Sequence, residues 1–157
     1  MNQFDVTVTV TSMPYTELND EDRRLVDLAK DATYRSYVPY SNFHVGAAIA
    51  LDNGETVVGS NQENAAFSGT CGERSACFYA HARYPEAKFR AIAIAARDTS
   101  GQFTSLPTSP CGSCRQALLE YETLAGAPVR VVLYGAETCY ILPSVASLLP
   151  LCFAEFK

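Results

Sequence analysis

Cys71-Gly72-Glu73-Arg74 and Pro110-Cys111-Gly112-Ser113-Cys114 decide the reading of this chain. Each stretch lies where a polar loop gives way to a helical pattern. The first opens a run to about Tyr84, closed by Pro85, and the second a run to about Glu122. Three thiols and a carboxylate therefore stand at two helix starts. A catalytic zinc takes three protein ligands and keeps a fourth position for water. Such a water needs a proton carrier beside it. Cys71, Cys111 and Cys114 suit the ligand roles, and Glu73 suits the general acid/base. The competing reading is a closed structural zinc site, which needs a fourth ligand. On a helix Cys77 falls on the far side from Cys71, and His81 stands at no ligand spacing from it. The pattern favours one zinc ion per chain in an open, catalytic site.

Helix N-termini offer unbonded N–H groups and partial positive charge, so lowered thiol pKa values are expected there. Pro110 suits the first helical turn. Cys111 and Cys114, three residues apart, share a helix face. Arg74 is one turn from Cys71 and placed to hydrogen-bond a ligand sulfur. On spacing alone, an ordinary surface arginine fits that position equally well.

Working outward, residues 2–12 alternate Phe4, Val6, Val8 and Val10 against polar partners, a strand pattern whose partner is open: a sheet edge or a loose arm. Asn19 or Asp20 caps a helix with Leu25, Leu28, Ala29 and Ala32 on one face, ended by Val38-Pro39-Tyr40. Val45 to Leu51 reads as a strand, Asp52-Asn53-Gly54 as a hairpin turn, and Thr56 to Gly59 as the return. Phe89 to Ala96 is apolar throughout and so buried on both faces. Val129 to Tyr134 and Thr138 to Leu142 read as strands, with a short helix near Ser144 to Leu149. Strands alternating with helices predict an α/β fold, a mixed sheet with helices on both faces.

The chain has 157 residues and a net charge of −5. That length suits one domain with a sizeable core. The acidic balance argues against a nucleic-acid surface, and no apolar run approaches a membrane span. The N-terminus lacks a signal-peptide pattern, which points to a cytoplasmic protein. Six cysteines without such a signal suggest thiols and metal, not disulfides. Cys77, Cys139 and Cys152 sit among apolar neighbours and read as core fillers.

The zinc nucleobase deaminases carry a ligand-x-Glu cluster and then Pro-Cys-x-x-Cys, and here Cys71 stands where other branches use His. Pro39-Tyr40-Ser41-Asn42-Phe43, Val45-Gly46-Ala47-Ala48 and Asn61-Gln62-Glu63-Asn64-Ala65 complete a set of ordered motifs. From about Leu25 to Phe153 the chain resembles cytidine deaminase of the small, tetrameric type. The resemblance implies a five-stranded mixed sheet in a three-layer α/β/α fold. It makes residues 19–157 the catalytic domain and residues 1–18 an N-terminal extension. It implies zinc-dependent deamination of cytidine and deoxycytidine in pyrimidine salvage, by a homotetramer with shared active sites. It implies that Asn61 and Glu63 bind the ribose 3′-hydroxyl, that Phe43 packs on the base, and that the Ala65 backbone meets the base edge. Phe153 of a neighbouring subunit would stack on the pyrimidine, and Arg74 would serve the ligand sulfurs. Gly72 stands where alanine is usual. The loop from Asn64 to Cys71 is one residue short, which leaves the place of Phe67 open.

A deaminase for another aminopyrimidine compound, of the blasticidin type, is the near alternative; Asn61 and Glu63 oppose it because they suit a free ribose. Charge and size oppose a polynucleotide-editing deaminase. A non-catalytic zinc-binding module is opposed by Glu73 and by the missing fourth ligand.

Overall fold

A computed structural model of the chain describes residues 1–154. Its single sheet runs in the order β1-β6-β5-β4-β2-β3. The strands are β1 (Thr11–Met13), β2 (His44–Leu51), β3 (Thr56–Ser60), β4 (Phe89–Arg97), β5 (Arg130–Tyr134) and β6 (Cys139–Leu142). β4 and β5 run parallel, and every other pair is antiparallel. The helices are α1 (Asp20–Ala32), α2 (Gly72–Arg83) and α3 (Gly112–Ala125).

The two faces of the sheet differ in bulk. Alternation on β2, β4 and β5 sends Val45, Ile49, Ile92, Ile94, Val131 and Leu133 to the side where Ala76, Ala80 and Leu118 of α2 and α3 pack. The opposite side presents Ala48, Ala91, Ala93 and Ala95 to Leu25, Val26 and Ala29 of α1. Small side chains let α1 approach the strands closely. At Gly46 a Cβ would fall 2.1 Å from the Ala29 carbonyl oxygen and 2.7 Å from the Thr33 nitrogen. Gly46→Ala should therefore lower stability by about 1–3 kcal/mol, the usual cost of overpacking. The denaturant midpoint measures it, and an unchanged midpoint would mean that α1 has free room to shift.

The structure revises several expectations. The sheet has six strands, not five. The alternating pattern of residues 2–12 extends further than its pairing: only Thr11–Met13 joins the ladder, antiparallel on β6. In this register Val10 faces Leu142, the last residue of β6, so residues before Val10 have no β6 residue opposite them. Within residues 11–18, Met13, Tyr15 and Leu18 nevertheless turn inward. Leu18 is buried, Tyr15 meets Tyr134 edge-on at 5.9 Å, and Lys30 Nζ lies 4.8–5.2 Å from the rings of Tyr15, Phe103 and Tyr134.

Asn19 is the cap of α1, its side chain accepting from the Asp22 N–H at 2.8 Å. The helix stops at Ala32, well before Pro39. The reason is local: Thr33 Oγ1 donates to the Lys30 carbonyl at 2.6 Å and Ser36 Oγ donates to the Thr33 carbonyl at 2.7 Å. These bonds shape the short 3-10 turn Thr33–Arg35. Cys77 and Cys139 are buried as expected, but Cys152 is exposed. It follows Pro150, where the chain has left the core.

Candidate active site

Cys71 and Cys111 are the N-caps of α2 and α3. Pro110 therefore stands just outside its helix and not in the first turn. α3 follows the loop leaving β4, and α2 the loop leaving β3. A Cβ at Gly59 would fall 2.4 Å from the Ala76 nitrogen, so the bare backbone of β3 seats α2 against the sheet. The two helix starts meet there. Cys71 Sγ is 3.7 Å from Cys111 Sγ, and Cys111 Sγ is 3.3 Å from Cys114 Sγ. All three ligand atoms lie within 4.8 Å of one another. Sulfurs at zinc–thiolate distance around a tetrahedral centre stand about 3.8 Å apart, so the set fits zinc. Among the described residues the group holds these three thiols and no fourth donor. Cys77 points into the core, donating to the Arg74 carbonyl at 3.5 Å, and His81 packs on Tyr121 with ring centroids 5.4 Å apart.

Burial decides the thiol electrostatics. It pushes Cys71 and Cys114 up, and Cys77 to about 12. Only Cys111 falls below its ordinary value: burial pushes it up, but the Cys114 backbone N–H and the two neighbouring thiols outweigh this. The lowering expected at both helix starts thus holds for the exposed thiol alone. Deeper in, desolvation costs the thiolate more than the helix ends return. Arg74 Nη2 lies 3.9 Å from Cys71 Sγ as a donor. Arg74 is accordingly not an ordinary surface residue, and its Nε is buried without a partner.

Glu73 is 4% exposed, and its Oε2 is buried with no hydrogen bond. Burial pushes the carboxyl above its usual range, against the pull of its own backbone N–H and of Cys114. A buried carboxyl oxygen without a partner beside three thiols is costly unless a ligand uses it.

Next to Cys71 opens a cleft of about 450 Å³ lined by Tyr40, Asn61, Gln62, Glu63, Phe67 and Thr70 among others. Glu63 Oε2 accepts from the Tyr40 N–H at 2.9 Å and the Ser41 N–H at 3.1 Å. The Ser41 side chain and these N–H groups hold its carboxyl below the ordinary value. Asn61 Nδ2 donates to the Phe43 carbonyl at 2.8 Å, and its Oδ1 accepts from the Val45 N–H at 2.9 Å. Phe67 has φ of 53° and faces Tyr40 with centroids 5.3 Å apart.

The structure thus gathers Cys71, Cys111, Cys114, Glu73 and Arg74, and sets Asn61 and Glu63 in the adjoining cleft. Phe43, Ala65 and Phe153 are exposed and do not line it. Phe153 lies on the tail, its carbonyl accepting from Gln116 Nε2 of α3 at 2.8 Å. Sequence reasoning missed the parts of Tyr40 and Ser41, whose contribution to Glu63 is mostly backbone.

Residues 19–126 match the family model for the zinc-binding region of cytidine and deoxycytidylate deaminases. The chain belongs to the cytidine deaminase family. It is 38% identical over 133 residues to the cytidine deaminase of Sporosarcina psychrophila, covering 84% of this chain and 90% of that one. It is 41% identical over 106 residues to the cytidine deaminase of Mycobacterium tuberculosis, covering 65% and 74%. Its fold superposes on the cytidine deaminase of Burkholderia pseudomallei with a TM-score of 0.70 at 33% identity, covering 87% of this chain and all of that one. Zinc is the cofactor of this cytidine deaminase family member. Among the described residues no helix is long and apolar enough to cross a membrane.

Proposed function

We propose that the chain hydrolyses the exocyclic amine of cytidine and deoxycytidine, giving uridine or deoxyuridine and ammonia. The supporting observation is the buried Glu73 carboxyl, one oxygen unbonded, beside three thiols of which Cys71 lines the adjoining cleft of about 450 Å³. Cys71, Cys111 and Cys114 hold zinc, which when bound supplies the Lewis acidity that makes water a nucleophile near neutral pH. Glu73 accepts a proton from the attacking water and delivers one to N3 of the pyrimidine. It then takes the remaining proton from the hydroxyl added at C4 and passes it to the amine, so that the C4–N bond breaks, ammonia leaves and the carbonyl forms. Its raised pKa suits a group that must both take and give protons near neutrality. Arg74 donates toward Cys71 Sγ and offsets part of the thiolate charge.

Glu63 binds the sugar. Tyr40 and Ser41 N–H groups fix one carboxylate oxygen, and the other accepts from a ribose hydroxyl. Asn61 retains one N–H and one lone pair beyond its bonds to Phe43 and Val45. Phe43 and the Ala65 backbone serve the base. Incubation with cytidine, followed by loss of the cytidine absorbance band, tests the activity directly. Glu63→Ala should raise KM for cytidine far more than for free cytosine. A constant ratio between the two substrates would remove the sugar assignment.

Residues 19–157 form the catalytic domain, of which 155–157 lie outside the described residues, and residues 1–18 are an extension of it. The chain works in the cytoplasm in pyrimidine salvage, as a homotetramer whose sites are shared. Phe153, 65% exposed on the tail, crosses to a neighbouring subunit and stacks on the pyrimidine. Mixing Glu73→Gln chains with Phe153→Ala chains should partly restore activity. A monomer by light scattering, or no recovery despite proven exchange, would remove the shared site.

A further inference from the structure

Ser36 to Phe43 forms a strap between α1 and β2, and the strap does more than connect. Tyr37 N–H donates to the Asn61 carbonyl at 3.1 Å, and Glu63 N–H donates to the Tyr37 carbonyl at 2.8 Å. The Tyr40 and Ser41 N–H groups then close on Glu63 Oε2. The backbone and the carboxylate of Glu63 are therefore both placed by this strap. Most of its residues are exposed and Val38 alone is buried, so burial holds it at one point only.

It is held at its start. Arg97, at the end of β4, is 7% exposed. Its Nε donates to Thr33 Oγ1 at 2.9 Å, its Nη2 to the Thr33 carbonyl at 3.3 Å, and its Nη1 to the Asp98 carbonyl at 2.9 Å. The guanidinium lies 4.1 Å from the centroid of the Tyr34 ring. This cation sits at the C-terminal end of α1, where carbonyls lack helical partners. The same Thr33 carbonyl accepts the Ser36 hydroxyl. A serine has one O–H to give, so at its 2.6 Å contact with His44 Nδ1 the Ser36 oxygen accepts, and His44 Nδ1 carries the proton. His44 is the cross-strand partner of Arg97 in the β2–β4 ladder and directly follows Phe43. Both ends of the strap therefore return to one buried arginine.

We propose that Arg97 is a positioning residue for nucleoside binding: through Thr33, Tyr34 and the Ser36–His44 contact it fastens the strap, and through the strap it sets the Glu63 carboxylate. The proposal rests on Glu63 being the sugar-binding group. Arg97 touches neither the thiol cluster nor Glu73, so its loss acts on binding and leaves the chemical step intact. A side chain that only filled the core would lower stability without dividing KM from kcat.

The test uses the zinc-loaded full chain with Arg97→Met, Arg97→Lys and Ser36→Ala. Arg97→Met removes every donor at similar bulk. The expected result is hydrogen exchange at the Tyr40 and Ser41 amides faster by about tenfold, with zinc content unchanged. KM for cytidine should rise about tenfold with kcat within about twofold of wild type, and KM for cytosine should not move. Arg97→Lys, which keeps a cation and one donor direction, should fall between. If Arg97→Met fails to fold, Ser36→Ala cuts the second tie without entering the core and should shift exchange and KM in the same direction. Each strap variant is repeated in a Glu63→Ala background, where its effect on KM should vanish. Unchanged exchange in both strap variants, or an equal rise in KM with and without Glu63, overturns the proposal while leaving the sugar assignment standing. An unchanged KM in Glu63→Ala alone overturns the sugar assignment and this proposal with it.

Discussion

Glu73→Gln lowers the turnover of cytidine by at least roughly 10²–10⁴-fold, the usual worth of a positioned acid/base, while zinc content and fold persist. The expectation follows from what the substitution leaves in place. Glutamine keeps the volume of a side chain that is 4% exposed, so no cavity opens, and it stays out of the thiol cluster. It replaces a titratable oxygen with an amide that cannot carry protons between water, ring nitrogen and amine. Stability should change little. Single-turnover kinetics beside zinc analysis make the measurement. Deamination within about tenfold of wild type would assign the proton transfers to another group.

Cys114→Ala removes zinc. Wild type should retain one ion per chain after dialysis, and the variant close to none, with an accompanying loss of thermal stability because the ion ties the starts of α2 and α3 together. Cys114 is fully buried and its thiol is held well above the ordinary pKa by that burial. The metal must displace its proton, so zinc affinity should fall as pH falls. Because Cys114 is a core position, its removal also leaves a small cavity. Cys111→Ala separates the two effects, since Cys111 is exposed: it should lose the metal with no cost from core packing. Full zinc retention in either variant removes that cysteine from the ligand set.

The clustering of Cys71, Cys111 and Cys114 was legible because its signal is local. A thiol at the loop-to-helix boundary with its partner three residues on says where it sits and which way it faces, with no knowledge of the rest of the fold. The helices and the central strands were legible for the same reason. What escaped depends on distant parts of the chain. The number of strands turned on how far β6 extends, which the pattern of residues 2–12 cannot state. The place of Cys152 turned on where the tail leaves the core. The thiol pKa values turned on depth of burial, so Cys111 and Cys114 diverge although both begin the same helix. The grip on Glu63 comes largely from the backbone of Tyr40 and Ser41, and a backbone N–H has no letter of its own.

The unequal faces of the sheet carry a consequence for how this chain tolerates change. Where α2 and α3 pack, Val, Ile and Leu interdigitate, so one aliphatic shape can be exchanged for another at modest cost. Under α1, Gly46 meets helix backbone and Ala48, Ala91, Ala93 and Ala95 face Leu25, Val26 and Ala29, so β2 and β4 offer little side-chain volume to trade there. A library randomised over both faces should come back lopsided. Survivors would be varied on the bulky side and nearly monotonous on the side of Gly46, Ala48, Ala93 and Ala95. Searches for a sturdier or altered variant should therefore place their diversity beneath α2 and α3, and leave the flat side alone.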